Sequence, residues 1–491
     1  PYAIAIGYQA GSTGQGTGSV GIGYQAGSTG QGTGSVAIGY QAGYNTQLNN
    51  CVAIGSSAGR NNQANESVAI GNAAGSNSQL ARAVAIGYRA GYTAQGASAV
   101  AIGSAAGCNV QKDAAVAIGP SAGRITQGTG SIAIGLFAGD TNQGEDAIAV
   151  GDGAGSNTQG ARSVAFGPQA GVTSQANDSI AIGSAAGQVR QATIATAIGI
   201  GAGQFNQKAY AIAIGSYQTG YTGQGTHAVA IGYQTGWSNQ GPSAIAIGSF
   251  AGYTQSQLAI AIGVSAGSNN QGESTIAIGA GAGRNNQATG SIAIGYESAF
   301  TGQKDISVAI GSSAARYNQG LASIAIGAQA GFTGQKDISI AIGYQAAYSN
   351  QSTDAVAVGE FAGNQGQGLA AIAIGYRAGN TNQSSGSVAI GVNAGSNVQA
   401  SNCVAIGWNA ASTSQKANAI AIGPYCAVFN QDNQSVAIGA GCAQSNQGSN
   451  CVAIGYEAGK SGQLPYAIAI GFRAGESAQA SSSIVINATS V

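Results

Sequence analysis

Charge is scarce in this chain. Only 7% of its 491 residues are Asp, Glu, Lys or Arg, and the two signs balance at 16 each, which leaves no electrostatic footprint for nucleic acid or an anionic membrane surface. Methionine is absent, histidine occurs once and proline 6 times. So little proline beside 83 glycines, with no strict Gly-X-Y triplet, excludes a collagen helix. No apolar run nears the roughly 18 residues that a membrane-spanning helix needs, so no membrane insertion is expected of this chain. Catalysis requires convergent titratable groups. The lone histidine, His227, sits in an irregular stretch and is expected to be a surface bulge residue, so no catalytic, cofactor-binding or metal-binding residue and no cofactor is expected.

Cysteine is equally sparse. Cys51, Cys403 and Cys451 occupy a column that otherwise holds Ser or Ala, and Cys426 and Cys442 stand in a column of Ala, so small-for-small replacement accounts for them. Cys426 and Cys442 would lie one layer apart, within disulfide range of Cα separation, although stacked parallel side chains often point the wrong way for a bridge.

What is abundant is repetition. Ala-Ile-Gly returns every sixteen residues, with its glycine at Gly7, Gly23, Gly39, Gly55 and onward through Gly263 and Gly311 to Gly471, and with Asn487 in the last glycine place. One copy of seventeen residues and one of fifteen, within about 213–260, restore the phase between them. Such recovery is expected when each repeat stacks on its neighbour. The chain is therefore expected to be one continuous repeat domain over 1–491.

Each copy is numbered here from its glycine as zero. Positions −3 and −1 are Val or Ile in nearly every copy, and two residues apart on a strand they share a face, read as the core. Position −2 is Ala, as at Ala5, Ala37, Ala53 and Ala309, and points the other way. An ordinary exposed face would accept Thr, Lys or Glu there, so something is expected to pack closely against this column. The glycine at zero supplies a turn that a Cβ would forbid. A second small pair at +3 and +4 permits another bend. Position +8 is Gln in all but two of the thirty glycine-anchored copies, including Gln15, Gln31, Gln47, Gln63, Gln287 and Gln479, and the stacked amides predict a hydrogen-bonded ladder. Period-2 patterning and recurrent glycine exclude helix. The expected fold is all-β: a single parallel β-solenoid, or β-roll, of about thirty-one sixteen-residue coils, each with two short strands.

The Ser-Val-Ala-Ile-Gly strings at 67–71, 307–311, 387–391 and 435–439, with a Gly variant at 19–23, resemble the head repeats of YadA-like trimeric autotransporter adhesins and the related repeats of phage and viral fibres. That resemblance implies a left-handed roll, Val and Ile filling each roll, and three chains side by side, which would make a neighbouring chain the partner of the Ala column at −2. It departs in repeat length, since the head repeats of that family are commonly shorter than sixteen residues. No heptad stalk or anchor barrel is seen.

Other motifs dissolve into the repeat. Gly455 to Ser461 looks like a phosphate loop but is one residue short between its glycines. Lys304-Asp305 and Lys336-Asp337 recur in near-identical copies, as duplication would leave them. An aromatic column at +1 (Tyr8, Tyr24, Tyr40, Tyr88, Trp408, Tyr456) reads as cross-layer stacking or as a ligand stripe, and a Thr/Asn-rich column at +6 raises ice binding. The expectation is a non-enzymatic fibre or adhesin shaft, extracellular or on a cell or virion surface, with a binding module for ice or for a receptor or glycan as the alternative. Lateral homotrimers are its expected partners, along with end-to-end stacking suggested by the identity of Pro1 to Gly7 with Pro465 to Gly471, and a host receptor or surface ligand. The start at Pro1, inside a repeat and without a signal-peptide pattern, is expected of a processed product or a segment of something longer.

Overall fold

A computed structural model describes residues 2–488, so Pro1 of the duplicated heptapeptide lies outside the described residues. The fold is all-β, with no helix among the described residues, and every strand pairing is parallel. Two compact units meet in sequence at Ala244 and Ile245, and both follow the same coil plan.

Each regular coil has a first strand at −3 to −1 and a second at +6 to +8, for example Val52–Ile54 and Asn61–Gln63. Within each unit the first strands pair with their counterparts one coil on, and the second strands do so in runs interrupted where only a single bridge forms, as from Val189 to Phe205 and from Tyr317 to Thr333. Val36, Ala37 and Ile38 face Val52, Ala53 and Ile54 in register, and Asn45 and Gln47 face Asn61 and Gln63. In the first unit this ladder of first strands runs from Ile4–Ile6 to Val229–Ile231, and in the second from Ile245–Ile247 to Ile484–Asn487.

The irregular copies keep register because their changes fall in tolerant places. In the seventeen-residue copy four residues instead of three separate Gly215 from Gly220, and Tyr217 and Gln218 take left-handed φ of 64° and 67° to absorb the extra one. The first strands on either side still pair Ala213 with Ala230. The fifteen-residue copy loses one residue between Gly252 and Gln255, which shortens its second strand to Thr254–Gln255.

The core lies on the opposite side of the first strand from the one expected. Ala37, Ala53 and Ala309 are fully buried inside their own coils, while Val and Ile at −3 and −1 are half-buried or exposed. Ala5, in the first coil, is exposed. The Ala column is thus no chain-to-chain interface, and Val and Ile do not fill the roll. The reason is width. A Cβ built on Gly59 would stand 2.5 Å from Gln63 Oε1 and 3.2 Å from Ala53 Cβ, so one coil holds about two alanines and one glutamine and has no room for a branched side chain. Close packing against the −2 column was the right inference, but the packing partner is the coil itself.

Candidate functional site: an amide-braced interior and three surface columns

The turn glycines do two things. Gly7, Gly23, Gly39, Gly55, Gly263 and Gly311 have φ between 126° and 133°, a region that side chains avoid. A Cβ on Gly311 would also lie 2.6 Å from the carbonyl oxygen of Gly327 in the next coil, so the backbones stack too closely for any substituent.

The glutamines are the largest fully buried side chains in the molecule. Each spans its coil. Nε2 of Gln15, Gln31, Gln47, Gln63, Gln287 and Gln479 donates to the −3 carbonyl of the first strand at 2.8–3.0 Å. The same nitrogen often also reaches the next amide, as from Gln47 to Gln63 at 3.0 Å and from Gln463 to Gln479 at 3.2 Å. This ladder has gaps: Oε1 of Gln47, Gln127 and Gln303 is buried without a donor. The brace across the coil is therefore the constant feature. Gln224 and Gln255, out of phase in the two irregular copies, make the same brace to Ile212 and Ile245 at 2.7 and 2.9 Å. Counting from the glycine hides them, whereas counting back from the next strand would have found them.

Hydroxyls and thiols complete the interior. At +3, Ser298, Cys426 and Cys442 donate to the −2 carbonyl of the next coil (Ala309, Ala437 and Ala453) at 2.8, 3.1 and 2.8 Å. At −4, Cys51, Cys403 and Cys451 donate to carbonyls thirteen residues on at 2.8, 2.8 and 3.0 Å. All six cysteines are buried, unbridged thiols, so S–H donation adds to small size as the reason these residues fit. Burial pushes the thiols of Cys403, Cys451 and Cys108 up, and the neighbouring Cys442 thiol, then burial, does so for Cys426.

Three surface columns stand outside this frame. Val and Ile at −3 and −1 form an apolar sheet face, with Ile54, Ile102 and Ile134 exposed by 36–38%. Beside them the +1 aromatics stack along the axis where they are consecutive, Tyr8 on Tyr24 and Tyr24 on Tyr40 at 5.2 Å. A third column, at +5, escaped the sequence reading although it recurs at the same period. It mixes rings and charges with small polar residues: Arg60 lies 6.0 Å from the Tyr44 ring, Arg124 pairs with Asp140 at 2.8 Å, and Phe332 stacks on Tyr348 at 4.9 Å.

The remaining motifs have structural partners. His227 is not at the inserted residue. It is exposed in the opposite turn, three residues after Gln224, with its ring stacked on Tyr210 at 4.9 Å. Lys460 of the loop-like segment pairs with Glu457 at 2.8 Å. Lys304 reaches Asp337 two coils away at 3.2 Å, and Asp337 also accepts the Leu321 N–H at 2.8 Å. That backbone bond, then the lysine, holds the Asp337 carboxyl below its usual range. Among the described residues, no group of three or more His, Cys, Asp or Glu side chains converges. No protein-family model matches this chain, and no curated protein matches it.

Proposed function

We propose that this chain is a non-enzymatic structural element, a segment of an extracellular or virion fibre or adhesin shaft, that works as a lateral assembly of copies. One observation carries the reading: nearly every regular coil turns two β-branched side chains outward on the same sheet face, with Phe166 as an exposed exception at −1. At roughly 60 Å² of exposed surface per isoleucine, the −1 column of one unit presents on the order of 900 Å². That already matches the ~800 Å² one partner gives to a stable interface. Soluble monomers rarely leave so continuous an apolar face in water. The occupant proposed is a second and third copy side by side, as in the fibre proteins whose repeats this chain resembles. Nothing in the interior moves on assembly, since glutamine and alanine already fill it.

The test is light scattering on the purified chain and on a variant carrying Ile294→Asp, Ile310→Asp and Ile326→Asp. The wild type should be multimeric at micromolar concentration, and the variant should dissociate while keeping its β-sheet circular dichroism. A wild-type chain that stays a soluble monomer would sink the reading.

A further inference from the structure

The second unit carries a cleft of about 360 Å³. Phe250, Tyr253, Ser265, Ser268, Asn269 and Arg284 line it. Its origin is a local change in side-chain size. In three successive coils position +5 is Tyr253, Ser268 and Arg284, while position +2 is Phe250, Ser265 and Gly281. A coil with two serines therefore lies between an aromatic wall and a cationic one. Ser268, nearly buried, donates its hydroxyl to the Arg284 carbonyl at 3.3 Å and fixes the floor. The Arg284 guanidinium is held 5.4 Å from the Phe300 ring. Glu297, one coil further on, is engaged by Arg316 at 2.7 Å, and among the described residues Arg284 forms no ion pair. Asn269 donates to Asn285 at 2.8 Å, which leaves its own Oδ1 to accept.

We propose that this cleft binds a sugar ring bearing a carboxylate, a hexuronate unit of an acidic polysaccharide. Phe250 and Tyr253 offer the flat apolar surface that the C–H face of a pyranose packs against. Arg284 offers the planar fork that grips a carboxylate through two parallel hydrogen bonds. Ser265 and Asn269 supply a hydroxyl and an amide for the ring hydroxyls. This function is separate from lateral assembly, which uses the −3 and −1 columns.

Saturation-transfer NMR and titration on the full chain test it with methyl β-D-glucuronide, methyl β-D-glucoside and sodium acetate, and association state is recorded on the same samples. The glucuronide should bind on the order of tenfold more tightly than the glucoside or acetate. Arg284→Gln should erase the preference for the acid, and Tyr253→Ala should weaken both sugars about fivefold, with the β-sheet circular dichroism of both variants kept as in the wild type. Equal binding of the three probes, or glucuronide binding that is the same in Arg284→Gln as in the wild type, overturns the proposal whatever the association state.

Discussion

Gln271 donates its amide nitrogen to Oε1 of Gln287 one coil on, at 3.3 Å, and Gln287 in turn braces its own coil by donating to the Ile276 and Ser291 carbonyls at 2.8 and 3.1 Å. Replacing Gln287 by Leu keeps the volume but strips two buried carbonyls of a donor and Gln271 of an acceptor. A loss of about 1–3 kcal/mol is expected in denaturant unfolding. Gln287→Glu sets a carboxylate against those same carbonyls, so burial should raise its folded pKa above the unfolded ~4.3. That variant should approach wild-type stability below pH 4 and lose stability as pH rises past it. A pH-independent defect would contradict the brace.

The two glycine columns should respond differently to a methyl group. At Gly311 the added Cβ would strike the Gly327 backbone at 2.6 Å with φ at 130°, and Gly311→Ala should cost more than about 3 kcal/mol. At Gly283 φ is 52° and the Cβ meets side-chain atoms only, the Gln287 amide and, at 3.2 Å, the Ala277 Cβ, and no backbone. Ala315 and Ala347 already occupy that place with φ of 44° and 47°, so Gly283→Ala should cost about 1 kcal/mol. Thermal melts of the pair decide this.

The period, both strands and the glutamine column were legible because each is a recurrence, and recurrence survives any ignorance of the third dimension. The direction of the first strand was not. Alternation shows that Val308 and Ile310 share a face, but not whether that face is inside. Hydrophobicity favours the branched pair for the core, and the width of a two-strand coil overrules it in favour of Ala309 and Gln319, both buried. The +5 column was overlooked for a different reason. Its members, Tyr44, Arg60, Asp140 and Phe332, share a position and no side-chain class.

Arg162 and Asp178 are a test of axial pairing on the surface. Arg162 grips the carboxylate with two hydrogen bonds of 2.7 and 2.9 Å, and this contact holds the Asp178 carboxyl below its usual range. Because the folded pKa is depressed, any stability the pair lends is present above the unfolded value of ~3.9 and fades as pH falls through the lower folded one. In carboxyl-carbon NMR titrations Asp178 should titrate below a free aspartate in the wild type and return toward it in Arg162→Gln. Identical curves would mean that the pair does not form in solution.

The thiols should be silent until the coils open. All six are buried, and the raised pKa of Cys108, Cys403 and Cys451 keeps them protonated at neutral pH, whereas thiolate is the reactive form. An aromatic disulfide reagent at pH 8 should label none within minutes in native protein and all six in denaturant. Cys426→Ser should melt close to wild type, since Ser298 shows that a hydroxyl makes the same bond to the next coil. Cys426→Val should be worse by about 1–2 kcal/mol, because the Ala437 carbonyl then loses its donor and the coil is overfilled.

Ala309 and Ile310 together decide which side of the first strand is the core. Ala309 is fully buried between its own glutamine and the next turn, and Ile310 is half-buried on the outer face. Ala309→Leu adds three carbons to a filled coil and should cost about 1–3 kcal/mol or more, with faster proteolysis nearby. Ile310→Ala removes three carbons from a surface and leaves no interior cavity, so unfolding measured on dissociated protein should change by less than about 1 kcal/mol. Were the branched residues the core after all, the order would reverse: Ile310→Ala would open a cavity costing about 2–5 kcal/mol, and Ala309→Leu would be nearly neutral to folding. Chemical denaturation of the two variants side by side separates these outcomes.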